Sequence, residues 1–329
     1  MLEDYLSTLD PPNVSAARLV AIAALDSGMA PGHFVDAVLK PAQEEVGRRW
    51  YANEWTVAQE HAATTITDAV LTLISMRRPR NQPAQTSIVS GCVEGEWHTM
   101  PMRMLGTTLE AYGYEVTFLG PSLAAAPFAR VLNDIEPSAA LLSCTSPMNL
   151  PAARRTIEVA HQAGVLVIIG GRALDPGGVR AAAIGADAFA TSADGVVMTL
   201  AGGETRRPAR ARAADINAEA AELEVPRSGL VDECVSELLD RQPRLRQMND
   251  AQLDGTRQDF TDILQFCSAA LLTGDHTVLD EFAIWRRDLL AVRGVPAGTI
   301  QVSYQCVAAV LGGGFPQTLA MLAAASTPI

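Results

Sequence analysis

The stretch SIVSGCVEGEWHTMPMRML, residues 87–105, runs from an apolar β-type segment through a polar turn into a helix-like segment with Pro101 near its start. Proline's fixed φ suits the first helical position, where its missing N–H is no loss. The turn EGEWHTM is therefore the loop at the carboxyl end of a strand, and His98 lies in it. Four more runs of the same type follow: EVTFLG from 115, AALLSC from 139, VLVIIGG from 165 and DAFAT from 187. Helical segments such as LPAARRTIEVAHQAG separate them. Five strands alternating with helices predict a doubly wound parallel sheet. Such sheets bind ligands outside the carboxyl ends of their strands, which puts His98 at the ligand-binding edge.

The flanks read differently. From Ser15 to about Arg78 apolar residues recur at three and four, through Leu19, Ile22, Ala23, Phe34, Val38, Val57, Ile66, Val70, Leu73 and Ile74. That spacing predicts a helical bundle within residues 1–82. Thr56 and Gln59 have the capping-box spacing that starts its last helix. RRPRNQPAQ then breaks the helix, and the sheet domain occupies 83–205. Residues 206–225, with Arg206, Arg207, Arg210 and Arg212, read as a solvated linker. From 226 to 329 helical periodicity returns, with Gly255, Gly274 and Gly294 expected at helix ends. The fold class is thus α/β plus all-α.

Composition narrows the function classes. A net charge of -12 repels nucleic-acid phosphates, so direct nucleic-acid binding is not expected. Five scattered cysteines, Cys92, Cys144, Cys234, Cys267 and Cys306, show neither a disulfide framework nor a zinc spacing. The first residues lack a basic start and an apolar core, and apolar runs are broken by Gly or Pro. A soluble cytoplasmic protein without membrane contact is the expectation.

A neutral imidazole at the sheet edge can ligate a metal, and Glu96, two residues earlier, can take the proton of its other ring nitrogen. The plain alternative is a partly exposed, hydrogen-bonded histidine. Forty-one residues separate Pro101 from Ser143, and twenty-four separate Thr145 from Gly170 and Gly171. An acidic residue, His, a Ser-x element and Gly-Gly in this order resemble the cobalamin-binding fold. The resemblance implies His98 as the lower cobalt ligand and metal-binding residue, with Glu96 as its partner and Trp97 beside them. It also implies Ser143 and Thr145 against the displaced nucleotide tail, with Gly170 and Gly171 leaving room for it. Glu96 stands for the family's Asp, Pro101 for its Gly and Thr145 for its Leu.

Within the bundle, WYANEWTVAQEH holds Trp50, then nine residues, then Glu60 and His61. This arrangement is similar to the cap of the cobalamin-dependent photoreceptors, where it covers the upper face of adenosylcobalamin. Some of them have a histidine after the Trp; this chain has Tyr51, which leaves the lit-state upper ligand to His61, water or none. The C-terminal segment resembles the globin-related helical sensor domains that lack haem, and the whole layout resembles the photocobilins. That implies biliverdin as a second chromophore, with Trp285, Arg286, Arg287 and Arg293 supplying stacking and propionate pairing. The plain alternative is a dimerising bundle, its arginines solvated or paired with Asp280, Glu281 and Asp288.

The resulting expectation is a non-enzymatic light sensor with small-molecule chromophores, a homo-oligomeric state and a downstream protein partner. A corrinoid methyl carrier serving a separate methyltransferase is the alternative. A receiver-like module is set aside, because the chain's one lysine, Lys40, lies in the bundle.

Overall fold

A computed structural model of the protein describes residues 1–77, 86–202, 217–292 and 298–325. They form two compact bodies. The first comprises 1–77, 86–145, 155–171 and 186–202; the second comprises 146–154, 172–185, 217–292 and 298–325.

The first body begins with a bundle: α1 Leu2–Leu6, α2 Val14–Asp26, α3 Pro31–Phe34, a π turn Val35–Leu39, α4 Lys40–Tyr51 and α5 Val57–Met76. The predicted capping box opens α5, with Thr56 and Gln59 each accepting from the other's backbone N–H. α1 lies within the expected bundle but before Ser15, where the apolar periodicity begins. It is held by Tyr5, which is wholly buried, edge-on to Phe34, and hydrogen-bonded through its hydroxyl to Thr67 at 3.0 Å. The buried face of α2 also differs from expectation: Ala17, Ala21 and Ala24 are buried while Leu19 is exposed. α2 packs on α5, and small side chains let two helix backbones approach where a leucine would hold them apart.

The sheet follows in the same body. β1 Ser87–Cys92, β2 Glu115–Phe118, β3 Ala139–Ser143, β4 Leu166–Gly170 and β5 Ala188–Phe189 are all parallel, in the order β2-β1-β3-β4-β5. All five runs read from the sequence are strands. The crossover helices are α6 Met100–Ala111, α7 Ala125–Ile135, α8 Leu150–Gln162, α9 Val179–Ala183 and, after β5, α10 Ala193–Ala201. One face buries Ile88, Cys92, Leu141 and Ile168 against Met102 and Leu109 of α6 and Val196 of α10. Residues of opposite parity, Val89, Leu142, Val167 and Ile169, are also buried, so both faces are covered. At the carboxyl edge Cys92 pairs with Ser143, and Ser143 with Gly170.

In the second body α11 Ala218–Glu224, α12 Ser228–Arg241, α13 Asp250–Thr273, α14 Thr277–Val292, α15 Thr299–Leu311 and α16 Pro316–Ala325 gather with α9 and the 3-10 turn Pro147–Asn149. α11 falls within the stretch expected to be linker. Its Glu219 carboxylate accepts from the backbone N–H groups of Gln317 and Thr318, capping the start of α16. Arg206, Arg207, Arg210 and Arg212 lie outside the described residues. Gly274 ends α13 in the left-handed region, as expected, with φ 66°. Gly255 does not end a helix. It sits inside α13, whose Phe260, Leu264 and Leu271 side chains are buried and outweigh glycine's propensity cost of about 1 kcal/mol. Gly294 lies outside the described residues.

Arg180 of α9 has a side chain only 1% exposed. Its guanidinium donates to Asp275 at 2.8 Å, to both carboxylate oxygens of Glu281 at 3.0 and 2.7 Å, to Thr277 at 3.1 Å and to the Ala173 carbonyl at 3.1 Å. A buried cation is tolerable only with such compensation.

Candidate functional site

His98 is presented from the loop between β1 and α6. The Pro101 helix start holds, with Met100 as the first helical residue. Gly95 takes the left-handed conformation, φ 82°, that this tight loop needs. Ser122 braces the loop: its hydroxyl accepts from Gly95 N–H at 3.1 Å, and its N–H donates to the Glu96 carbonyl at 3.0 Å.

Glu96 is the centre of the arrangement. Its side chain is buried, and one carboxylate oxygen lies 2.6 Å from His98 Nδ1 and accepts from His98 N–H at 2.9 Å. The other oxygen accepts from Thr145 N–H at 2.5 Å. One carboxylate thus fastens the loop after β1 to the loop after β3. Burial alone would raise the Glu96 carboxyl; the hydrogen bonds from His98 and Thr145 outweigh it, and the net shift is downward. The ionised carboxylate has no proton to give, so Nδ1 carries the hydrogen between them. The ring is 71% exposed. His98 is therefore an exposed ring oriented through Nδ1 by a buried carboxylate, an orientation also used for metal-ligating histidines. Trp97 beside it is exposed.

Ser143 ends β3 and is buried; Thr145 is partly buried two residues on. A methyl group at Gly170 would meet the Ala190 carbonyl oxygen at 2.6 Å. One at Gly171, with φ 116°, would meet the Cys144 carbonyl oxygen at 2.2 Å. Both glycines are thus required by the protein's own backbone, whatever else they admit. The Cys92 thiol in this wall is pushed up to about 12 by burial and the Glu96 charge, so it stays neutral.

The bundle residues lie in the same body. Trp50 is at the end of α4, and Glu60 and His61 are in the first turn of α5, 3.4 Å apart at their nearest polar atoms. The Thr64 hydroxyl lies 2.9 Å from the Glu60 carboxylate and 3.2 Å from the Gln43 side-chain oxygen, sharing its one hydrogen between them, and Gln43 donates to Thr67. Periodicity shows that such residues are helical but not that they form this chain, because Gln43 and Thr64 sit on different helices. The C-terminal candidates fall in the second body. Trp285 packs by Phe282 at 6.2 Å between centroids, Arg286 pairs with Asp259 and Arg287 with Asp288 at 3.0 Å. Arg293 lies outside the described residues.

The donor set suits a corrinoid. His98 supplies one exposed, oriented imidazole, and among the described residues no three His, Cys, Asp or Glu side chains converge to hold a metal ion. The Ser90 hydroxyl, on the sheet face shared with Ser143, is buried without a hydrogen-bond partner. It leaves a polar group to be satisfied inside the wall beside the edge.

Comparison with known proteins agrees. Residues 86–201 match the family model described as B12 binding domain, and residues 13–75 match a second model of the same description. The chain is 29% identical over 167 residues to the HTH-type transcriptional repressor CarH of Myxococcus xanthus, covering 50% of this chain and 54% of that protein. It thus spans about half the length of that relative. It is 25% identical over 191 residues to trimethylamine corrinoid protein 1 of Methanosarcina mazei, covering 56% of this chain and 88% of that one. The structure of the Methanosarcina barkeri monomethylamine corrinoid protein shares the fold, with TM-score 0.50 at 17% identity over 60% of this chain and 94% of that one. These matches make this a cobalamin-binding protein; the relatives are named as a repressor and as corrinoid proteins. No helix among the described residues is long and apolar enough to cross a membrane.

Proposed function

We propose that the chain is a light sensor that binds adenosylcobalamin, with His98 as the lower cobalt ligand and the bundle as cap over the upper face. The observation that carries the cofactor geometry is the Glu96–His98 pair, in which a buried carboxylate fixes Nδ1 of an exposed imidazole at the sheet edge. The light-sensing reading is supported by Trp50, Glu60 and His61, the arrangement that resembles the photoreceptor cap. Bound adenosylcobalamin supplies a cobalt–carbon bond that light cleaves. The chain supplies the rest: an apolar indole and a carboxylate at the cap, and a bundle that can move relative to the sheet. Arg103 of α6 joins them, donating to Asp68 at 2.9 Å and Thr72 at 3.0 Å of α5. Any movement of the cap must break or rebuild that contact.

In this proposal Ser143, Thr145, Gly170 and Gly171 border the nucleotide tail. The C-terminal helices, read as globin-related, are the proposed seat of biliverdin, with Trp285, Arg286 and Arg287 contributing. Trp285 is 41% exposed and offers a stacking face. Burial pushes the Cys267 thiol up to about 12 and the Cys306 thiol to about 11, which favours non-covalent binding over a thioether. A cytoplasmic homo-oligomer acting on a protein partner completes the proposal.

The methyl-carrier reading has one observation of its own, the match over 88% of a trimethylamine corrinoid protein. Competition separates the two. The sensor prefers adenosylcobalamin to methylcobalamin and changes its hydrodynamic radius on illumination; a carrier prefers methylcobalamin and shows no structural response to light.

A further inference from the structure

We infer that Ser90 is a second hydroxyl contact for the cofactor's nucleotide tail, beside Ser143; this rests on the cobalamin reading above. The argument starts from strand parity. Ser90 and Cys92 of β1 point to one face, and the register pairs Ser90 with Leu141 and Cys92 with Ser143. Ser90 and Ser143 are therefore on the same face, one pleat apart, on adjacent strands. Gly170, paired with Ser143, adds a position without a side chain next to them.

Ser90 is 1% exposed, and its Oγ has no hydrogen-bond partner among the described residues. The commonest remedy for a buried serine is absent. Thr107, Thr108 and Ser143 are also buried on this side of the molecule, but Thr108 returns its hydroxyl to the Met104 carbonyl at 3.1 Å and Thr107 reaches Ser75. A strand offers Ser90 no such carbonyl, since its neighbours' backbone groups are used in the β1–β2 and β1–β3 ladders. An apolar residue would fit this wall without penalty, because Ile88, Leu141 and Ile168 surround the position. The hydroxyl is explained by a partner that arrives with the ligand.

The surroundings suit the polar end of a flat aromatic base. Leu105, Phe118, Ala190 and Val197, packed against the same apolar cluster, are only partly buried. An apolar slot with few hydroxyls at its floor takes a heterocycle by its faces and orients it by hydrogen bonds. Ser143 gives one; Ser90 gives the other.

The test uses full-length protein, the Ser90→Ala variant and two probes in the dark: adenosylcobalamin, and cobinamide, which has the corrin ring and no nucleotide tail. Thermal unfolding without cofactor should rise in Ser90→Ala, because a buried unsatisfied hydroxyl has been removed. Affinity for adenosylcobalamin should fall about tenfold, the loss of one buried hydrogen bond, while affinity for cobinamide stays unchanged. Equal adenosylcobalamin affinity in wild type and Ser90→Ala overturns the assignment of Ser90 alone. An equal fall for both probes also overturns it, since the effect then does not act through the tail. Wild type that fails to distinguish adenosylcobalamin from cobinamide overturns the tail placement itself, and Ser90 with it.

Discussion

The loop that presents His98 and the helix that presents Trp285 each combine one exposed ring with charged neighbours, yet their electrostatics are opposite. At His98 the charge is buried beside an exposed ring: Glu96 uses both oxygens, one on His98 and the other on Thr145. Along α14 the charges are already matched within the protein, Arg286 by Asp259 and Arg287 by Asp288. The first arrangement fixes the orientation of one exposed ring through a buried carboxylate. The second offers a stacking surface, but an incoming propionate must displace a carboxylate. Polar residues make a prepared site when their mutual bonds leave a donor or acceptor over.

Substitutions can break this comparison, and the largest effect falls on neither ring. Arg180→Met removes the cation between Asp275 and Glu281 and should lower the stability of the second body by about 2–3 kcal/mol, the loss of hydrogen bonds to charged groups whose carboxylates can reach solvent, read from its denaturant midpoint. An unchanged midpoint would show that the cluster is solvated and not structural. Glu96→Ala comes next. It frees His98 to rotate and leaves two buried N–H groups unpaired, so adenosylcobalamin affinity should fall about 10–100-fold by titration. A loss under twofold would mean that the carboxylate does not prepare the histidine. Trp50→Ala should reduce the preference for adenosylcobalamin over methylcobalamin by about 2 kcal/mol, the apolar surface lost beside the adenosyl group. If the preference survives, the cap is built from other residues.

At the weak end, Arg287→Ala should change stability by about 0.5 kcal/mol or less, because its ion pair with Asp288 is exposed. Against that quiet background, loss of a copurifying red-absorbing pigment in Arg287→Ala would establish biliverdin contact; colourless wild type from biliverdin-supplied cells would refute it. Acid should sharpen the same contrast. Burial alone would raise the Asp275 carboxyl, but hydrogen bonds from Thr277 and Arg180 and the charge of Arg180 lower it overall. A carboxyl lowered by folding stabilises above its unfolded value, and that stability is lost as pH falls through the lowered one. The second body should therefore weaken below about pH 4, and Asp275→Asn should flatten that dependence.

The sheet was legible in the sequence because each parallel strand, buried on both faces, is a short apolar run bounded by turn residues. The Thr56 capping box and the Gly274 helix end were legible because they are local. What failed was set by packing: α2 buries its alanines and exposes Leu19, and Gly255 is carried inside a helix by its buried neighbours. Of the site, the Glu96–His98 pair could be read at a spacing of two. The bond from Glu96 to Thr145, the ties from Arg180 to Asp275 and Glu281, and the stranded Ser90 hydroxyl could not, since each is settled by elements far apart in the chain.

The central claim is that His98 holds adenosylcobalamin in a form that light alters, and a single absorption experiment tests it. Full-length wild type and His98→Ala are each mixed with adenosylcobalamin in the dark, and spectra are taken before and after green illumination. Wild type should show a histidine-ligated spectrum in the dark that converts on illumination, while His98→Ala should retain little cofactor and show water or the cofactor's own base below cobalt. Identical dark spectra and retention for the two proteins would contradict the role of His98, and a wild-type spectrum unmoved by light would contradict the sensor.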